Sequence, residues 1–348
     1  MTIKVLVVDD SALIRQLLGE IIRQAPGMEL VGTAQDAYVA REMVNAHAPD
    51  VITLDIEMPK VDGLTFLDRL MKARPTPVLM ISTLTEAGAE ATLRALELGA
   101  VDYIAKPKIG VAQGIEEYRN LILDKIRTCA RAKVKRVDKP VSAPPPSNLS
   151  LSTEKLIAIG ASTGGTEAIK EVLIRLPANS PAVLITQHMP PGFTTTYAKR
   201  LDGLCAMRVA EAKDGERVLP GHAYLAPGSL HMVIEKSGAD YRIKLLDTER
   251  VSGHKPSVDV MFQSLAKVAG RNLVAMLLTG MGKDGAEGLA EIHRQGAFTL
   301  AQDEQSCVVF GMPKEAIRLG AAAEVLPIDR IAPRVIEQLR KLGAGSRL

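Results

Sequence analysis

The sequence predicts an α/β protein of two doubly wound parallel-sheet domains joined by a linker rich in proline and serine. Three observations carry this expectation. At 348 residues the chain exceeds what one core usually supports, because single cores stop growing near roughly 250–300 residues. On both sides of one interruption, short aliphatic runs alternate with longer amphipathic segments, as parallel strands covered by helices do. The interruption reads RTCARAKVKRVDKPVSAPPPSNLSLSTE over 127–154: apolar periodicity lapses, and basic residues, then prolines, then serines accumulate. The expected division is a first domain over residues 1–125, a linker over 126–151 and a second domain over 152–345.

In chain order, the first half offers strands at Lys4–Val8, Glu29–Ala34, Val51–Leu54, Val78–Ile81 and Tyr103–Ala105. A helix over Ala12–Gln24 presents Leu13, Leu17, Ile21 and Ile22 as its inner stripe. After the linker, strands are expected at Leu156–Ile159, Ala182–Thr186, Ala223–Ala226 and Leu273–Leu278, with a helix over Glu167–Leu176. Composition narrows the function classes. The 43 basic and 40 acidic residues leave a net charge of +3, too balanced for a general pull on nucleic acid. The basic run at 131–136 has no interleaved aromatics and reads as a solvated helix end. Cys129, Cys205 and Cys307 are far apart without metal-type spacing, which suits a reducing compartment and buried, inert thiols. With no signal-peptide pattern and no apolar run near ~20 residues, the expectation is a cytoplasmic protein without membrane insertion.

Ligands of doubly wound sheets gather at the carboxyl ends of strands. In the first half these ends carry Asp9 and Asp10, Asp55, Ser82, and Lys106. Carboxylates so close repel one another unless a cation sits among them, and oxygen ligands of this kind suit Mg²⁺. Asp55 is then the natural acceptor of a phosphoryl group, with Lys106 opposite the metal and the Ser82 hydroxyl able to donate to a phosphoryl oxygen. The segments VLVVDDSALIR, DVITLDIEMPKVDG, VLMIST and YIAKP together resemble the receiver domain of two-component response regulators, a flavodoxin-like fold. That resemblance implies that Asp55 is phosphorylated by a histidine kinase, that Asp9, Asp10, Asp55 and the Glu57 backbone carbonyl hold Mg²⁺, and that Ser82 and Lys106 are switch residues.

In the second half, IAIGASTGG (157–165) admits three readings. As a dinucleotide fingerprint it fails, because Ser162 stands at the second glycine. As a phosphate loop it places Thr166 where the lysine is required. Gly160-Ala161-Ser162-Thr163-Gly164 does match G-x-S-x-G, the strand-to-helix elbow that exposes a nucleophilic serine. His188, at the end of the next apolar run, is the best-placed base, and Asp284 in MGKDG is the preferred orienting acid, with Asp259 its competitor. Backbone N–H groups of residues 280–285 would meet the oxyanion. The segments IAIGASTGGTEA, ITQHMPPGFT, YLAPG, KPSVDVMF, LLTGMGKDGAEGL and VVFGMPKEA resemble the Rossmann-like catalytic domain of chemotaxis protein-glutamate methylesterases. With the receiver in front, the resemblance spans nearly the whole chain.

The resemblance implies a Ser162–His188–Asp284 triad with the Met281 N–H in the oxyanion hole, and no cofactor for the hydrolase chemistry. It also implies demethylation of glutamate γ-methyl esters and deamidation of glutamines on methyl-accepting chemoreceptors, under phosphoryl control by a chemotaxis kinase, with no nucleic-acid partner. Residue patterns alone reach only a serine acyl hydrolase with a phosphoryl switch. The rivals are a DNA-binding regulator, which would need a compact helix-turn-helix after the linker, a non-catalytic receptor-binding module, and a hydrolase using Cys307 as nucleophile.

Overall fold

The computed structural model describes residues 2–83, 85–106, 114–134, 155–238 and 240–344. The chain separates into two units, Met1–Lys139 and Pro140–Leu348.

The first unit alternates strand and helix: β1 (Ile3–Val8), α1 (Ala12–Arg23), β2 (Met28–Ala34), α2 (Ala37–His47), β3 (Val51–Asp55), α3 (Gly63–Ala73), β4 (Val78–Ser82), α4 (Glu86–Glu97), β5 (Asp102–Ala105) and α5 (Gly114–Ala130). All pairings in its sheet are parallel, in the order β2-β1-β3-β4-β5, so the order reverses between β1 and β3 and opens a crevice at their carboxyl ends. Strands β3 and β4 are buried throughout, which is why they read as unbroken apolar runs. Ser11, Asp36, Asp62 and Thr85 cap α1 to α4, each accepting a backbone N–H of the first turn.

Two expectations are corrected here. The inner stripe of α1 is Ile14, Leu18, Ile21 and Ile22, whereas Leu13 is 53% exposed. Several phases of a 3.6-residue stripe satisfy a segment this rich in Leu and Ile, and packing against the sheet selects one. Helix α5 continues to Ala130, past the expected linker start at 126, because Ile126 and Cys129 face the core. The rest of the linker, from residue 135 to 154, lies outside the described residues.

The second unit contains β6 (Leu156–Ala161), α6 (Gly165–Leu173), β7 (Ala182–Gln187), α7 (Phe193–Asp202), β8 (Arg208–Glu211), β9 (His222–Leu225), β10 (His231–Ser237), β11 (Asp240–Leu246), α8 (Val258–Val268), β12 (Leu273–Leu277), α9 (Ala286–Arg294), β13 (Phe298–Gln302), α10 (Met312–Arg318), β14 (Glu324–Leu326) and α11 (Ile328–Ala344). Its seven-stranded parallel sheet has the order β14-β13-β12-β6-β7-β9-β8. The central strands β12, β6 and β7 are wholly buried, and their carboxyl ends are the ends that matter below.

Strands β8, β13, β14 and the β10–β11 hairpin were not expected. The hairpin alternates buried and exposed residues because one face only, with Met232, Ile234, Tyr241 and Ile243, joins the core beside Met261, Phe262 and Leu265 of α8. Such alternation differs from the continuous apolar run of a doubly covered strand. Helix α6 begins two residues earlier than expected and ends at Leu173.

Candidate active site

In the first unit, Asp9 follows β1, Asp55 ends β3, Ser82 ends β4 and Lys106 follows β5. Carboxylate oxygens of Asp9, Asp10 and Asp55 lie within 4.8 Å of one another. The Lys106 Nζ stands 2.7 Å from Asp55 Oδ2 and 3.5 Å from Asp9 Oδ2. Burial, together with the Asp9 charge, raises the Asp55 pKa to about 6, against the pull of Lys106 and a Glu57 N–H bond. Asp9 is likewise raised by burial and by Asp10. For Lys106 burial works the other way, but its bond to Asp55 outweighs it and the pKa rises.

The donor set fits Mg²⁺: hard carboxylate oxygens converge, one lysine leaves them under-neutralised, and the buried Asp9 Oδ2 has only the distant Lys106 Nζ, 3.5 Å away. Ser82 is engaged otherwise. Its Oγ accepts from Thr92 Oγ1 at 2.6 Å and donates to the Gly88 carbonyl at 3.2 Å, so donation to a phosphoryl oxygen requires that hydroxyl to turn away from α4.

In the second unit the carboxyl ends of β6, β7 and β12 bring Ser162, His188 and the 279–285 loop together. Ser162 directly follows β6, with its N–H donating to Thr279 O and its carbonyl accepting from Gly165 N at 2.7 Å. His188 directly follows β7 and donates its N–H to Ala161 O across the ladder. Gln187 Nε2 ties the two strand ends by donating to Ser162 O at 2.9 Å and to His188 O at 3.3 Å.

His188 Nε2 is 2.7 Å from Asp284 Oδ2. The Asp284 carboxylate also accepts from Ser257 Oγ (2.7 Å), Val258 N (2.7 Å) and Asp259 N (3.1 Å), which makes it the anion at the N-terminus of α8. Burial alone would raise its pKa, but the His188 bond and charge, with the Ser257 and Val258 donors, hold it below the usual carboxylate range. An anionic Asp284 requires the proton on Nε2. His188 Nδ1 is buried without a hydrogen-bond partner, so no hydrogen bond joins it to Ser162.

Asp259, the competing acid, turns elsewhere: its Oδ1 accepts from Gly288 N at 2.7 Å, and burial beside Asp284 raises its pKa. Ser162 sits in the strand-to-helix turn between β6 and α6, without left-handed backbone of its own. Ser162 is not among the described residues with positive φ, and the left-handed backbone falls instead on Gly164 (φ 76°), where any Cβ would also meet Val308 at 2.6 Å. Of the 280–285 N–H groups, Gly280 donates to Val309 O and Gly285 to Asp259, so neither is available to an oxyanion. Gly280, the residue before Met281, passes close enough that a Cβ on it would lie 2.8 Å from the Ser162 Cβ.

Comparison with known proteins adds identity to this geometry. Residues 157–335 match the family CheB methylesterase, and residues 5–112 match the response regulator receiver domain. The chain belongs to the CheB methylesterase family. It is 62% identical over 349 residues to protein-glutamate methylesterase/protein-glutamine glutaminase 2 of Pseudomonas aeruginosa, covering 100% of both chains. It is 57% identical over 353 residues to a protein of the same name, without the numeral, from Nitrosomonas europaea, covering 99% of this chain and 98% of that one. The crystal structure of the Thermotoga maritima CheB methylesterase catalytic domain superposes with a TM-score of 0.52 at 39% identity, over 53% of this chain and 98% of that one.

Within this CheB-family site, sequence reasoning missed Gln187 and Ser257. Ser257 had a legible signal, a serine immediately before an apolar helical segment, which predicts a helix N-cap. Its bond to Asp284, 27 residues away, had none. Cys307 is buried and donates towards the Gln302 carbonyl at 4.0 Å, while burial pushes the Cys205 thiol up to about 12 and the Cys129 thiol higher still. Among the described residues no helix is long and apolar enough to cross a membrane.

Proposed function

We propose that this protein is a phosphorylation-activated, cytoplasmic serine hydrolase that demethylates glutamate γ-methyl esters on chemoreceptors, deamidates selected glutamines, and so contributes to chemotactic adaptation. The observation that carries the chemistry is the 2.7 Å pair of His188 Nε2 and Asp284, which leaves Nδ1 as the basic nitrogen beside a serine on the neighbouring strand end. The substrate class rests on family membership.

Ser162 Oγ attacks the ester carbonyl carbon while His188 Nδ1 takes its proton, and the anionic Asp284 stabilises the resulting imidazolium. The Met281 N–H stabilises the developing oxyanion. Collapse breaks the C–O bond to methanol, which leaves with the proton from Nδ1. Water, deprotonated by the same nitrogen, then attacks the acyl carbon, and the C–Oγ bond breaks as Nδ1 returns that proton to Ser162 Oγ, releasing the free glutamate. With glutamine as substrate the leaving group is ammonia.

Control rests on the first unit. A chemotaxis histidine kinase transfers a phosphoryl group to Asp55, Ser82 and Lys106 respond to it, and Asp9, Asp10, Asp55 and the Glu57 carbonyl would hold Mg²⁺. The ion supplies charge neutralisation for the incoming phosphoryl group when bound. The deciding experiment follows methanol release from methylated receptor, with and without a small phosphodonor in Mg²⁺. Wild type should be stimulated and Ser162→Ala inert; near-normal activity in Ser162→Ala would end the serine mechanism.

A further inference from the structure

We infer that His254 is a positioning residue for the reaction, setting the plane of the His188 ring and thereby aiming Nδ1; this rests on the hydrolase reading above. The His254 ring stacks on His188 with centroids 3.6 Å apart and planes 11° from parallel. The need for such a partner follows from the shape of imidazole. Asp284 grips His188 at Nε2 alone, on the side of the ring remote from Cβ. Rotation about Cβ–Cγ carries Nδ1, which lies farther from that axis, through a wider arc than Nε2, and for histidine this torsion is soft. A carboxylate at Nε2 thus distinguishes one ring flip from the other without fixing the plane. A flat group against the ring face fixes it, and His254 supplies that group.

His254 is itself held by backbone. Its N–H donates to Val251 O at 2.9 Å and its carbonyl accepts from Val251 N at 3.0 Å. Between them Ser252 (φ 54°) and Gly253 (φ 82°) are both left-handed, the requirement of a tight type I′ turn. Three residues after His254 comes Ser257, whose Oγ donates to Asp284. Its N–H donates to Nδ1 of the fully buried His231, which is anchored in turn on the Glu249 carbonyl. One short segment therefore serves both ends of the His–Asp pair, with Ser257 fixing the carboxylate and His254 the ring.

The test uses the full chain with His254→Ala and His254→Phe, Ser162→Ala as control, and two readouts. In methanol release from methylated receptor, His254→Ala should lose roughly 3- to 10-fold in kcat with KM little changed, the scale of one aromatic stack, and His254→Phe should recover most of it. In histidine-selective ¹⁵N NMR, the His188 Nε2–H signal should broaden or vanish in His254→Ala, where water reaches the opened ring face, and persist in His254→Phe. Unchanged kcat and an unchanged Nε2–H signal in His254→Ala would overturn the proposal. So would equal losses in the Ala and Phe variants, which would point to imidazole chemistry in place of stacking. An active Ser162→Ala would instead overturn the hydrolase reading, and the NMR comparison would still decide whether the stack orders His188.

Discussion

Asp55 and Asp284 occupy comparable places, each at the carboxyl side of a buried parallel strand and each almost sealed from solvent, at 2% and 1% exposure. Their protonation is nevertheless pushed in opposite directions, to about 6 for Asp55 and below the usual range for Asp284. Burial is the largest influence on both and raises both, so donors make the difference. Asp284 has Ser257 Oγ, two α8 N–H groups and His188 Nε2; Asp55 has Lys106 and one N–H, and faces the negative Asp9. A carboxylate saturated with donors remains an anion and orients its neighbour. One left short of donors, among other carboxylates, holds its proton more tightly and stays under-neutralised when ionised.

The largest effects should come from breaking the saturated site. Ser162→Ala and His188→Ala should each cost ~10³-fold or more in turnover, and Asp284→Asn a comparable factor while the protein stays folded, because a triad acts as a unit. Independent, multiplicative losses in the double variants would contradict that. Next is control through the unsaturated site: Asp55→Asn should abolish stimulation by a small phosphodonor in Mg²⁺. A fragment beginning at residue 151 should need no phosphodonor, and a folded fragment no faster than the unphosphorylated full chain would show that the receiver does not restrain the hydrolase.

The comparison also fixes the sign of a stability change. An aspartate raised from 3.8 to about 6 binds its proton better when folded, so its penalty is absent below pH 3.8 and complete above pH 6. Without divalent metal, Asp55→Asn should therefore stabilise the protein by about 1–3 kcal/mol at pH 7.5, with the gain gone near pH 4. Thermal melts in EDTA at the two pH values measure it, and a destabilised variant at pH 7.5 would mean that Lys106 contributes more than burial removes. The smallest effect should be that of Ser257→Ala, which loses one donor to Asp284 and the α8 cap, at about 1–2 kcal/mol in chemical denaturation.

Much of this was readable from the chain. The parallel sheets are legible because a strand covered on both faces is an unbroken aliphatic run, as in LIAIGA and LVAML. The site residues are legible because sheet topology sends ligands to strand ends, where Asp9, Asp55, Ser162 and His188 stand. The edge strand RVAE and the three-residue EVL carry no such run, so they were missed.

Sequence by itself determined which chemistry is possible at each strand end, since residue types and spacing are local properties. Tertiary structure decided how those groups are used. It paired His188 with Asp284 instead of Asp259 through Nε2, turned Ser82 towards α4, and laid His254 on His188. These outcomes depend on hydrogen-bond partners as far as 96 residues apart in the chain, and a partner at that separation is set by how the elements pack, which no local pattern encodes.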